Sequence, residues 1–108
     1  MIVIEYKDEE LRLLIETGKS NDKRYKKLKS NKKFLRDLQM VMALIRPVDN
    51  VAELGQFKKL NYEHLHHDYE GYSSVRIGFT SKYRLIFEEF DNGIRICLIE
   101  ISEHYGDK

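Results

Sequence analysis

Two arginines interrupt otherwise apolar runs in the second half of the chain. Arg76 lies in Ser74-Val75-Arg76-Ile77 and Arg84 in Tyr83-Arg84-Leu85-Ile86-Phe87. A half-buried strand position ordinarily takes Val or Thr. A guanidinium there either packs against a protein carboxylate or offers its planar fork to an anion such as phosphate. A second group with chemical capacity is His64-Leu65-His66-His67-Asp68. On a strand, His64 and His66 would share a side with Asp68 two further on, and imidazoles plus a carboxylate can hold zinc. No second ligand cluster accompanies them, so the expectation is that no metal is bound. Tyr62, Tyr69 and Tyr72 flank this group and can either stack on bases or pack at a rim.

These residues need elements to position them. Ile2 to Tyr6 is short and β-branched, a first strand. Asp8 can cap a helix whose first turn holds Glu9 and Glu10, whose apolar face is Leu11, Leu14 and Ile15, and which Gly18 can stop. Tyr25 and Leu28 allow one further turn. Residues 31–47 make the clearest helix. Asn31 caps it, Phe34, Leu38, Met42 and Ile45 form its stripe, and Pro47 lies past its end. A groove along that stripe for a partner helix is the less favoured use of these residues. Residues 51–71 form a connector with a short strand near Tyr62 to Leu65. Three strand runs follow at 72–79, 82–90 and 94–101, the last two joined at Asn92-Gly93, a strong hairpin signal. The fold class is therefore α+β: an N-terminal strand, two helices, then an antiparallel meander of three to four strands, with the helices on one face of the sheet. The chain, 1–108, reads as a single domain.

Register decides what the arginines share. Val75, Ile77 and Phe79 bury on the same face as Tyr83, Leu85 and Phe87 only if odd positions pair with odd. That requires a three-residue loop, Phe79 to Ser81, and sets Arg76 opposite Arg84. Ser74, Arg76, Lys82 and Arg84 then share the other face. A two-residue Asn92-Gly93 turn pairs Asp91 with Ile94, Phe87 with Leu98 and Leu85 with Glu100. Continued pairing brings Glu103 level with Lys82 and leads residues 102–106 toward the arginine face. Like charges side by side repel. Glu88 and Glu103 are the internal counter-anions, and a ligand is the external one.

Charged residues make up 34% of the chain, and the net charge is +1. No apolar run approaches the ~18 residues of a membrane helix. The N-terminus turns acidic after a few apolar residues, so neither a secretory signal nor a transit peptide is expected. Cys97 is the only cysteine and reads as a small buried apolar residue, which fits a reducing, cytoplasmic setting. Residues 19–36 hold nine of the 19 Lys and Arg but one of the 18 acidic residues. This basic arm is either a solvated helix face or a surface for phosphates or an acidic partner.

In order and combination these segments resemble the bacterial RelE/ParE toxin superfamily, nearest its HigB-like, killer-protein branch. The residues that carry the resemblance are Ser74-Val75-Arg76-Ile77, Tyr83-Arg84-Leu85-Ile86-Phe87 and the tail His104-Tyr105, within a matching order of elements. The resemblance implies the toxin of a type II toxin–antitoxin pair. Its partner is a cognate antitoxin, in this branch a helix-turn-helix DNA-binding protein through which operator DNA is reached. Active members cut messenger RNA in the ribosomal decoding site. They use the RNA 2′-OH as nucleophile and leave a cyclic or 3′-phosphate and a 5′-OH, without metal or other cofactor. No membrane is involved.

That chemistry asks for a base, cationic cover for the phosphorane and an acid for the leaving oxygen. On this reading Arg76 and Arg84 supply the cover, and Lys82 assists from the turn. His104 carries a proton. Tyr105 stacks on a base or joins proton transfer. Glu103 acts as base or orients His104. His66 and His67 contact RNA, and either can be the base. Lys26, Lys27, Lys32 and Lys33 meet phosphates, with a steep salt dependence. The family more often ends in acid, Tyr, His; the order Glu103-His104-Tyr105 leaves base and acid open. The competing readings are a ParE-like inhibitor of DNA gyrase, and an inactive toxin-like protein that only binds its antitoxin.

Overall fold

A computed structural model describes residues 1–78 and 81–103. Helix α1 (Glu9–Thr17) starts where the Asp8 carboxylate accepts the Leu11 N–H at 2.8 Å, and it ends at Gly18 in the left-handed region. Its apolar face, Leu11, Leu14 and Ile15, is fully buried. A single 3₁₀ turn at Lys23–Tyr25 leads into the short α2 (Lys26–Lys29), which buries Tyr25 and Leu28. Helix α3 (Lys32–Ile45) is capped by Asn31, whose side chain accepts the Phe34 N–H at 3.0 Å. It buries Phe34, Leu38, Val41, Met42 and Ile45. Asp8, Gly18 and Asn31 do what their types predict.

The strands are β1 (Val3–Tyr6), β2 (Glu63–His64), β3 (Tyr72–Arg76), β4 (Arg84–Phe90) and β5 (Arg95–Ser102), in spatial order β1-β5-β4-β3-β2. All neighbouring pairs are antiparallel except β1 with β5, which is parallel. Val75, Ile77, Leu85, Phe87, Ile96 and Leu98 are buried in the same core cluster as the helix faces. The α+β layering expected from the sequence is what forms. β3 stops at Arg76 and β4 starts at Arg84, inside the runs expected, while β5 keeps its expected length but is shifted by one residue.

One register differs from expectation. The β4–β5 pairing runs as foreseen from Phe90↔Arg95 to Phe87↔Leu98, then shifts. Ile86 pairs with Glu100 and Leu85 with Ile101, not with Glu100. Ile99 is the extra residue of a bulge, which a hairpin signal six residues away cannot reveal. No described helix is long and apolar enough to cross a membrane.

Candidate functional site

The face of the sheet opposite Val75, Leu85 and Phe87 carries the arginines, and Arg76, at the sheet edge, also lines a cavity with Asp37, Met40, Val41 and Leu44 of α3. Arg76 pairs directly with Arg84, and Ser74 with Ile86. Opposite pairing in an antiparallel ladder puts both partners on one face, so the odd-with-odd register foreseen for this hairpin holds. Phe79 and Thr80 of its loop lie outside the described residues. Around them, Gly78 has φ +93°, and a Cβ there would come 2.7 Å from Asp37 Oδ2. Glycine thus lets the turn press against α3, where Asp37 Oδ2 also accepts from Lys33 Nζ at 2.8 Å. Ser81 Oγ accepts the Tyr83 N–H at 2.9 Å, and Tyr83 packs edge-on against Phe34 with centroids 5.1 Å apart.

The two arginines are not equivalent. The Arg84 side chain is 10% exposed. Its Nε donates to Ser74 Oγ at 2.8 Å and its Nη2 to the Asn61 carbonyl at 2.7 Å, with Glu63 Oε1 3.5 Å away. Arg76 is only half-buried. Glu63 was not singled out in the sequence, yet its pairing with Ser74 puts it on the arginine face. Only its place at an even spacing from Leu65 could have hinted at that. Glu88 is not the counter-anion of the pair. It sits opposite Tyr72, four residues or about 13 Å of strand from Arg84.

At the same end of the sheet Lys82 Nζ meets Glu103 Oε1 at 2.7 Å. That carboxylate holds the ammonium above its ordinary pKa. Lys82 also lies 5.8 Å from the Tyr83 ring centroid. The basic segment borders this end. Lys26 and Lys27 line an open cleft of about 330 Å³ with Tyr83, Ile101 and Glu103. Lys33 lines another of about 320 Å³ with Asp37, Ser81 and Lys82. Lys32 is exposed on the first turn of α3. That turn carries no acid, so two lysines sit where a helix dipole favours anions.

His66 and His67 are exposed and sit beyond β2, at a 3₁₀ turn, His67–Tyr69, that His67 enters with φ +59°. Leu65, just before them, bonds the Tyr72 carbonyl, so ~13 Å of strand separates them from Arg76. The turn also ends the strand alternation that would have set His64 and His66 side by side. Among the described residues no three His, Cys, Asp or Glu side chains converge as metal ligands. His64 instead joins Tyr62, Ser73 and Glu89 on the helix side. His104 and Tyr105 lie outside the described residues.

No protein-family model matches the chain, and no curated protein matches it. Solved structures do. A YoeB/ParE toxin from Agrobacterium tumefaciens superposes with a TM-score of 0.54 at 17% identity, over 96% of this chain and 100% of that one. The fold is that of the RelE-like toxins. YafQ from E. coli strain BL21(DE3) also gives a TM-score of 0.54 at 17% identity, over 96% and 94% of the two chains. A mutant of E. coli YafQ gives 0.51 at 14% identity, over 96% and 94%. The likeness spans nearly the whole of each chain.

Proposed function

We propose that this chain is the toxin of a type II toxin–antitoxin pair, acting as a ribosome-dependent endoribonuclease of the HigB-like branch. The observation that carries the reading is the Arg76–Arg84 pair on the face of a RelE-like sheet opposite Val75, Leu85 and Phe87. Two carboxylates, Glu63 and Glu103, and Lys82 stand at the same end. In this mechanism a base takes the proton of the RNA 2′-OH. O2′ attacks the adjacent phosphorus, the bond from phosphorus to O5′ breaks, and an acid protonates O5′. The products are a cyclic phosphate and a 5′-OH.

Arg76, half-buried at the face, meets the phosphate oxygens, and Arg84 behind it adds positive field while fixing the Asn61–Glu63 segment. Glu63 beside Arg84 and Glu103 beside Lys82 are the candidate bases. His104 and Tyr105, which follow Glu103 directly, supply the acid and a stacking ring. Lys26, Lys27, Lys32 and Lys33 face the flanking phosphates of a ribosome-bound message. His66 and His67 contact RNA further along. The antitoxin, a helix-turn-helix protein, binds the toxin and connects it to operator DNA.

The test is cleavage of messenger RNA on translating ribosomes by wild type, Arg76→Ala and His104→Ala. Position-specific cuts with 5′-OH ends are expected. Both variants should lose at least a hundredfold in rate while staying folded, the scale of losing phosphorane cover or a general acid. A folded wild type that cuts nothing overturns the nuclease reading, and gyrase inhibition or antitoxin binding alone would replace it.

A further inference from the structure

We propose that Glu89, on the helix side of the sheet, is a positioning residue for the Glu63–Arg84 pair on the opposite side. Its catalytic consequence rests on the nuclease reading; the coupling itself does not. β2 is two residues long and lies at the sheet edge. So short a ladder leaves an edge strand weakly specified. Something else must hold Glu63 toward the arginines.

Side chains alternate along a strand, so Tyr62 and His64 turn to the face that Glu63 leaves. There, one carboxylate oxygen gathers both. Glu89 Oε2 accepts from Tyr62 OH at 2.6 Å and from Ser73 Oγ at 2.5 Å, with His64 Nδ1 at 3.8 Å. Ser73 has a single hydroxyl proton and gives it to Glu89. Its 3.1 Å contact with His64 Nδ1 therefore needs the imidazole to donate. The His64 tautomer is thus set from behind by Glu89. The Tyr62 ring stacks on Phe87 at 6.2 Å and meets His64 edge-on at 5.5 Å. Turning Glu63 away from Arg84 would pull both of its neighbours off Glu89.

Arg84 grips the same segment from the other face, through the Asn61 carbonyl and Glu63. Both grips come from β4 and reach β2 across β3. They pass over Ser73 and Ser74, which are 2% and 0% exposed. At these two positions a small hydroxyl side chain leaves room for a longer one to cross and gives it a partner. A bulky β-branched residue would block the reach. Residues 61–64 are therefore clamped from both faces. Glu89 does not touch Arg84, yet it fixes the backbone from which Arg84's acceptors project.

The experiment follows the Arg84 Nε–H by NMR in the ¹⁵N-labelled full chain. It compares Glu89→Ala, Glu89→Gln and Tyr62→Phe, with Val41→Ala as a control destabilised elsewhere in the core. Exchange of that proton should speed at least tenfold in Glu89→Ala relative to a control of matched stability. It should stay within threefold of wild type in Glu89→Gln, which keeps an acceptor for Tyr62 and Ser73. On ribosome-bound message, Glu89→Ala should lower kcat about tenfold with KM unchanged, and Glu89→Gln should restore it. Equal exchange in Glu89→Ala and the matched control overturns the proposal and leaves Glu89 an edge stabiliser. If Glu89→Ala does not fold, Tyr62→Phe decides: threefold faster exchange supports the clamp and unchanged exchange sinks it. If wild type cuts no RNA, the nuclease reading falls while the exchange data still decide the coupling.

Discussion

Replacing Arg84 by alanine should cost far more stability than replacing Arg76, although the two face each other as equals in the ladder. Among the described residues Arg84 makes two charge-assisted hydrogen bonds, 2.8 Å to Ser74 Oγ and 2.7 Å to the Asn61 carbonyl. Bonds of this kind contribute about 1.5–3 kcal/mol each. Truncation also strands Ser74 Oγ, whose residue is 0% exposed. Relief of repulsion from Arg76 returns at most about 1 kcal/mol. The net loss is about 3–5 kcal/mol, the range for breaking a buried charged contact by removing one partner. Domains of this size are stable by roughly 5–15 kcal/mol, so Arg84→Ala is close to unfolding. With a urea slope near 1 kcal/mol per molar, the midpoint should fall by about 3 M or more. Arg76→Ala, at a half-exposed position, should stay within about 1 kcal/mol of wild type. Urea titration of both variants by circular dichroism measures this. If Arg84→Ala unfolds within about 1 kcal/mol of wild type, the Ser74 and Asn61 contacts of Arg84 do not hold the fold. A corollary follows for activity. Lost cleavage in Arg84→Ala alone does not establish a phosphate contact, and lost cleavage in Arg76→Ala counts toward one only when the variant keeps wild-type stability.

Two further predictions concern stability. Gly93 has φ +91°, and a Cβ would lie 2.6 Å from Asn50 Oδ1 and 2.8 Å from Val51 Cγ1. Gly93→Ala should therefore cost about 2–3 kcal/mol and lower Tm by about 10 °C or more; a calorimetric shift under 3 °C would count against it. Tyr25 is 1% exposed, and its hydroxyl has no hydrogen-bond partner among the described residues. Tyr25→Phe should therefore match or exceed wild-type stability at pH 7. Burial pushes the Tyr25 phenol up to about 12 from 10.0. The unfolded chain then loses that proton first. The stabilisation is complete below pH 10 and is lost as pH rises to about 12. Urea midpoints across pH 9 to 12 should fall less steeply in Tyr25→Phe, and equal slopes would refute the assignment.

Much of this molecule is written in near neighbours. Helix caps act within three residues, which is why Asp8, Gly18 and Asn31 could be read directly. Strand alternation is equally local. The burial of Val75, Ile77, Leu85 and Phe87 therefore dictated an odd-numbered hairpin register and set Arg76 opposite Arg84. Lys82 does meet Glu103, but not through the register expected: the bulge at Ile99 shifts the pairing by one, so Arg84 lies opposite Ser102.

What was not legible depends on chain segments that meet only when the sheet closes. The bulge at Ile99 is set by packing against β4 and has no local marker. The parallel union of β1 with β5 joins residues more than 90 positions apart. Whether Arg84 served protein or ligand could not be settled by its type or its strand. The answer lay in a backbone carbonyl 23 residues away, at Asn61. Glu63 and the Tyr62–Glu89 contact, which spans 27 residues, were hidden for the same reason. Sequence alone determined which side chains share a face, because alternation and capping are properties of adjacent peptides. Tertiary structure decided which of them are occupied, because a guanidinium or carboxylate takes whatever acceptor or donor the folded chain brings within about 3 Å.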